Sequence, residues 1–222
     1  MPCGTVLKAR VDDAVDSLSV QESGERPVFP VIQCSREALL GLHIFDMDGT
    51  LISSYMDAPG KRYASWEVLP GRAEALRALR EQGHWIAVAT NQAGVAFGHV
   101  TESQVTRKIA AVVAALGLPV ETSVAVCFAH AQAKAYRYNN PRAVARRKPS
   151  GTMLREIMEE TGIRDDVTYV GDKPEDRAAA RDASISFRQA DDFFASFDLA
   201  PDGAEGVAPL LGPKENETDG RK

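Results

Sequence analysis

Four short stretches carry residue types that could do chemistry together. HIFDMDGTLIS, residues 43–53, ends an apolar run with Asp46 and Asp48, one residue apart, and turns at once on Gly49 and Thr50. Two like charges in so small a space cost energy unless a cation or a reaction needs them there. WIAVAT closes on Thr90 and leads into NQAGVAFG, residues 91–98, where a hydroxyl and a turn of exposed N–H groups can cradle phosphate oxygens. RRKPSG sets Lys148 just ahead of a helical pattern, so an ammonium and helix amides can face one anion. VGDKPED supplies Asp172 and Asp176 on a tight turn into a helix.

Each stretch alone has an ordinary explanation. Asp-x-Asp can be an Asx turn, Thr90 a common strand-to-helix turn, Asp172 a helix N-cap and Asp176 a charge favoured by the helix dipole. The combination is more telling: carboxylate pair, hydroxyl, ammonium and carboxylate pair follow one another in that order. Asp46, Asp48 and Asp172 offer the hard oxygen ligands that suit Mg²⁺. Asp176, one helical turn further on, can hold the cation or the lysine in place.

The elements that must position these groups are legible too. Short apolar runs at 42–46, 85–90, 123–128, 167–171 and 184–187 read as strands buried on both faces. Residues 72–82 form a helical pattern with Ala75, Leu76 and Leu79 inward and Gly83 as a stop. Thr-Glu-Ser-Gln opens a second helix over 101–116, with Val105, Ile109, Val112, Val113 and Leu116 on one stripe. A third spans 150–161, burying Met153, Leu154, Ile157 and Met158, and a fourth starts near Pro174. Alternating strands and helices imply an α/β fold, a doubly wound parallel sheet in three layers with its working site at the carboxyl ends of the strands.

With 222 residues, 44% hydrophobic and 26% charged, the chain is long enough for one good-sized domain and is not composed like a disordered protein. We divide it into a partly flexible N-terminal extension (1–35), in which 11–20 could form a short helix or edge element, a domain (36–198) and a disordered tail (199–222). Nothing approaches the roughly 18 apolar residues of a membrane span, and Lys8, Arg10, Asp12 and Asp13 argue against a signal peptide. Three scattered cysteines, Cys3, Cys34 and Cys127, speak against a disulfide framework and for a reducing compartment, the cytoplasm. The net charge of -5 hides a basic window: residues 122–155 hold no Asp or Glu but include Lys134, Arg137, Arg142, Arg146, Arg147, Lys148 and Arg155. Such a concentration suits an anionic ligand, although a solvated loop would look the same.

DMDGTL, the strand-ending Thr90, Lys148 and GDKPED resemble the four motifs of the haloacid dehalogenase (HAD) superfamily of phosphohydrolases, over about residues 42–194. The resemblance implies a HAD-like fold in which Asp46 is a nucleophile that becomes an aspartyl-phosphate and Asp48 is the general acid and base. It implies Mg²⁺ between Asp46, the backbone carbonyl of Asp48 and Asp172, with Thr90, the Asn91 amide and Lys148 on the transferring oxygens. Only residues 52–69 separate the first motif from the first helix, too few for a folded cap, so the site reads as capless and open.

TNQAGVAFG and RRKPSGTML are similar to the capless subfamily IIIA, which includes histidinol-phosphate phosphatases, heptose bisphosphate phosphatases and the 3'-phosphatase domain of polynucleotide kinases. The first two commonly carry a zinc loop. Here Cys127 and His130 have no later cysteine to join them, so we expect no structural zinc. Gly151 comes one residue earlier than the branch pattern, with Thr152 in its usual place. The preferred substrate is a polynucleotide 3'-phosphate, with Arg137, Arg142, Arg146 and Arg147 as backbone contacts and Tyr136 and Tyr138 available for stacking. The alternatives are a small phosphate ester, such as histidinol phosphate or a sugar bisphosphate, and a non-catalytic interaction module. A receiver domain would lack the DxDGT pair, and no GxxxxGK[ST] kinase motif is present. The sequence does not specify an oligomeric state.

Overall fold

The computed structural model describes residues 41–54, 63 and 65–198. Their elements run β1 (Leu42–Phe45), α1 (Arg72–Glu81), β2 (Trp85–Asn91), α2 (Glu102–Ala115), β3 (Ser123–Cys127), α3 (Tyr136–Asn139), α4 (Pro141–Val144), α5 (Thr152–Thr161), β4 (Val167–Gly171), α6 (Pro174–Asp182), β5 (Ser186–Gln189) and α7 (Ala190–Asp198). All five strands are parallel, in the order β3-β2-β1-β4-β5. This is the doubly wound α/β sheet that the alternating pattern predicts.

Strand alternation builds two cores. Phe45, Val88, Val124, Val126 and Val170 pack against α1, α2 and α7 on one face, with Phe193 and Phe194 among them. Leu42, Ile44, Ala87, Ala89, Ala125 and Tyr169 meet α5 and α6 on the other. The small residues of β2 and β3 on that second face let α5 lie close. Gly151 serves the same end: a Cβ there would stand 2.6 Å from the Ala183 nitrogen and 2.7 Å from the Ala179 carbonyl oxygen. The early glycine of this loop is thus required by the meeting of α5 and α6.

Thr101 caps α2 through a capping box with Gln104, as its sequence predicts. Other expectations shift. β5 starts two residues later than its apolar run suggests and is only half-buried, because it is the sheet edge and one face stays near water. Met158 is partly buried, a neighbour of the core and not a member of it. The two four-residue helices α3 and α4 and the aromatic helix α7 were not anticipated. The extension, the tail, and the possible element at 11–20 lie outside the described residues. Among the described residues no helix is long and apolar enough to cross a membrane.

The order 3-2-1-4-5 places the topological switch between β1 and β4. Connections leave their carboxyl ends in opposite directions, which opens a crevice there. Asp46 follows β1 directly, its N–H donating to the Val170 carbonyl of β4, and Asp172 follows β4. The ends of the 52–69 connection are drawn together by Ser53 N–H to the Glu67 carbonyl and Leu69 N–H to the Leu51 carbonyl.

Candidate active site

Asp46 and Lys148 form the centre. Asp46 is 4% exposed and Lys148 also 4%, so an unpaired charge on either would be costly. The Lys148 ammonium lies 2.5 Å from Asp46 Oδ1, 2.7 Å from Asp176 Oδ1, 2.8 Å from Tyr169 Oη and 3.2 Å from the Ala89 carbonyl oxygen. The Tyr169 hydroxyl is itself within hydrogen-bonding distance of Asp176 Oδ1, at 3.0 Å. Asn91 fixes the lysine from behind: its side-chain amide donates to the Lys148 carbonyl and accepts from the Lys148 N–H, both at 3.2 Å.

Burial pushes the Asp46 carboxyl up to about 7, with the Asp176 charge adding and Lys148 opposing. Burial alone would lower Lys148, but Asp46, Tyr169 and Asp176 hold the ammonium well above the usual lysine range. Burial likewise raises the Tyr169 hydroxyl well above its ordinary value.

Asp172 and Asp176 bring the second acidic motif to the first. One carboxylate oxygen from each of Asp46, Asp172 and Asp176 lies within 4.8 Å of the other two. Glycines make this approach possible. Gly49 has φ +94°, and a Cβ there would collide with the Asp172 carboxylate. A Cβ on Gly171 would sit 2.5 Å from Asp176 Cβ. Asp176 Oδ2 also accepts the Lys173 N–H at 3.0 Å, which ties the carboxylate to the start of α6. The Asp172 carboxyl is raised by burial and by Asp176, with Lys173 opposing. Three converging carboxylates, hard and anionic, fit Mg²⁺.

The geometry departs from the sequence expectation in which carboxylates cluster. The Asp48 side chain is turned elsewhere: Oδ1 pairs with Lys108 Nζ at 2.7 Å and Oδ2 accepts from Gln92 Nε2 at 2.6 Å. The Asp48 backbone carbonyl, the atom assigned to the metal by resemblance, faces Lys173 Nζ at 3.5 Å. Gln92 also donates to Thr90 Oγ1 at 2.9 Å, so the motif hydroxyl and Asp48 share one clamp. Lys108, Gln92 and Tyr169 were not anticipated. A usable signal exists for Lys108, because it falls on the apolar stripe of α2, where a cation needs a buried partner.

The basic window divides. Arg142 is exposed on α4. Arg137 is exposed, pairs with Glu102 at 2.7 Å and lies over the Tyr138 ring. Arg147 Nη1 reaches the Ala129 carbonyl at 3.4 Å. Arg146 is committed to the fold: its guanidinium grips both Glu156 oxygens, at 2.6 and 2.8 Å, and donates to the Val126 carbonyl at 3.1 Å. The expectation that Arg146 faces a nucleic-acid backbone is corrected on that geometry, since two carboxylate oxygens and a strand carbonyl already take its donors. Buried Cys127 points its thiol at the Ala143 carbonyl, and His130 Nδ1 accepts the Gln132 N–H.

The model of the polynucleotide kinase 3 phosphatase family matches residues 41–198, well over half of the chain. The chain belongs to that family. Membership places it among the HAD-type phosphatases, and one curated relative and one solved structure it resembles are phosphatases by description. A heptose-1,7-bisphosphate 7-phosphatase of Pseudomonas putida is 34% identical over 144 residues, 63% of this chain and 75% of that one. An uncharacterised 20.8 kDa protein of Autographa californica nuclear polyhedrosis virus is 33% identical over 131 residues, 58% of this chain and 63% of its own length. A HAD-like phosphatase from Mesorhizobium loti superposes with a TM-score of 0.54 at 26% identity, over 66% of this chain and 69% of that one. A D,D-heptose 1,7-bisphosphate phosphatase of B. bronchiseptica, solved with magnesium and phosphate, shares the fold at a TM-score of 0.52 and 24% identity, over 74% and 90% of the two chains.

Proposed function

We propose that the protein is a Mg²⁺-dependent phosphomonoesterase that works through an aspartyl-phosphate and acts on polynucleotide 3'-phosphate ends. The observation that carries the catalytic part is the Lys148 ammonium 2.5 Å from a buried Asp46 carboxylate at the switch point of the sheet. A carboxylate is a poor nucleophile towards an anionic phosphate, and fixed positive charge offsets the repulsion between them.

In this reading Asp46 attacks phosphorus, the bond to the alcohol oxygen breaks, and Asp48 gives that oxygen its proton. Asp48 then takes a proton from water as it attacks the acyl-phosphate, which releases inorganic phosphate and restores Asp46. Gln92 and Lys108 aim the Asp48 carboxylate. Thr90, the Asn91 amide and Lys148 hold the phosphoryl oxygens, and Asn91 also fixes the lysine backbone. Mg²⁺ held by Asp46, Asp172 and the Asp48 carbonyl, with Asp176 alongside, would supply the remaining charge neutralisation.

The family match and the exposed cations Arg137 and Arg142 support the polynucleotide substrate. The Pseudomonas putida relative favours a second reading, a small sugar bisphosphate. A cytoplasmic setting is part of the proposal, in keeping with three cysteines scattered along the sequence. The test is phosphate release from a 3'-phosphorylated oligonucleotide, heptose bisphosphate, histidinol phosphate and nucleotides, each with and without EDTA. We expect the oligonucleotide to have the highest kcat/KM, to weaken with salt, and to fail in EDTA. Preference for the heptose ester would replace the substrate, and release from none would leave a non-catalytic interaction module.

A further inference from the structure

Lys108 is an unusual use of a core position. It lies on the inward stripe of α2 beside Val105, Ile109, Val112 and Val113, and is 5% exposed. A residue there that served only the fold would be apolar, because burying an ammonium costs more than burying a methylene chain. Its charge reaches the active site: Nζ is 2.7 Å from Asp48 Oδ1 and 4.8 Å from the centre of the Tyr63 ring. Tyr63 in turn donates to Gln92 Oε1 at 3.2 Å, and Gln92 holds the other Asp48 oxygen. The site therefore has two buried lysines, Lys148 on Asp46 and Asp176 and Lys108 on Asp48.

On the phosphatase reading the two ammonium groups would face different parts of a substrate. Asp46 meets phosphorus, so Lys148 is a cation for the transferring phosphoryl group. Asp48 meets the oxygen that departs, so a cation in contact with Asp48 stands beside the leaving alcohol. We propose that Lys108 is a specificity-determining residue that binds a second phosphate carried by the leaving alcohol, and so selects esters with two phosphates over simple monoesters. This rests on the phosphatase reading above. The shared chemistry, a second phosphate near the ester oxygen, can come from a nucleotide chain or from a sugar bisphosphate.

The experiment compares the wild type with Lys108→Met and Lys108→Arg on four substrates: a nucleoside 3',5'-bisphosphate, the matching nucleoside 3'-phosphate, a sugar bisphosphate and p-nitrophenyl phosphate. Losing one charge-assisted contact should cost Lys108→Met about 10- to 100-fold in kcat/KM on the esters with a second phosphate, mainly through KM. The two simple esters should lose only the share that comes from aiming Asp48, so the ratio of bisphosphate to simple-ester kcat/KM falls, and Lys108→Arg should recover most of that ratio. Which bisphosphate shows the larger loss identifies the source of the second phosphate. Equal losses on all four substrates would overturn the proposal and leave Lys108 as a positioning group for Asp48. Should Lys108→Met fail to melt cooperatively, Lys108→Gln, which keeps a donor for Asp48 and loses the charge, takes its place with the same expected fall in the ratio and the same refuting result. Wild-type enzyme inactive on every substrate would refute the phosphatase reading itself, a result distinct from equal losses.

Discussion

Lys148→Met tests the charge cluster without recourse to catalysis. The substitution removes the ammonium that lies between Asp46 and Asp176, which are 6% and 1% exposed at their side chains. Both carboxylates would then be buried without the ammonium that contacts them, and Tyr169 Oη would lose its donor. Removing one partner of a buried ion pair costs about 3–5 kcal/mol. For a chain of this size that is a fall in Tm of about 6–20 °C, enough to show in a calorimetric or fluorescence melt. Adding Asp176→Asn removes one of the stranded charges, so the double variant should recover part of the loss, with a coupling of about 0.5–3 kcal/mol. The melts are run in EDTA, so that no added metal replaces the lysine. A single variant melting within about 2 °C of wild type, or strict additivity in the pair, would refute this picture of the cluster.

Other outcomes follow from the same geometry. His43 is lowered to about 4, first by burial and then by His84 and Arg188, and its Nδ1 is buried without a hydrogen-bond partner. The unfolded chain therefore binds a proton that the folded one refuses between pH 6.5 and about 4, so this contribution is intact above pH 6.5 and is lost as pH falls. It amounts to at most about 3 kcal/mol, and His43→Phe should flatten the acid limb of a Tm-against-pH curve. Arg146→Met should lower stability by about 1–3 kcal/mol while leaving KM for an oligonucleotide unchanged, whereas Arg142→Gln should raise that KM and leave Tm in place. Gly171→Ala should cost most of the activity, since its Cβ would displace Asp176, and a folded variant with full activity would contradict that dependence.

How far the sequence reaches can be followed residue by residue. Asp46, Thr90 and Asp172 are legible because each terminates or adjoins a short apolar run, and parallel strands bring such ends to one edge; Lys148 is legible only from its place just before the helical pattern of α5. The two cores follow from the same alternation. Tyr169 read as an ordinary strand residue, since its hydroxyl finds Ala89 on β2 and Lys148, both remote in the chain. Lys108 read as an interruption of an apolar stripe because its carboxylate is 60 residues away, in a loop. Arg146 looked free for a similar reason: Glu156 lies on α5 across a turn, and no helical spacing announces the pair. α7 escaped because Phe193, Phe194 and Phe197 follow two aspartates at the end of the domain, where the chain passes from sheet edge to helix without a loop.

The claim on which all the chemistry depends is that Asp46 is the atom donor to phosphorus. Asp46→Asn keeps the size of the side chain and its place beside Lys148, and removes the negative oxygen. We predict that phosphate release from the best substrate of the panel falls by about a thousandfold or more while the variant still melts cooperatively. A folded Asp46→Asn enzyme that keeps a tenth of the wild-type rate, in the presence of magnesium, would contradict the account.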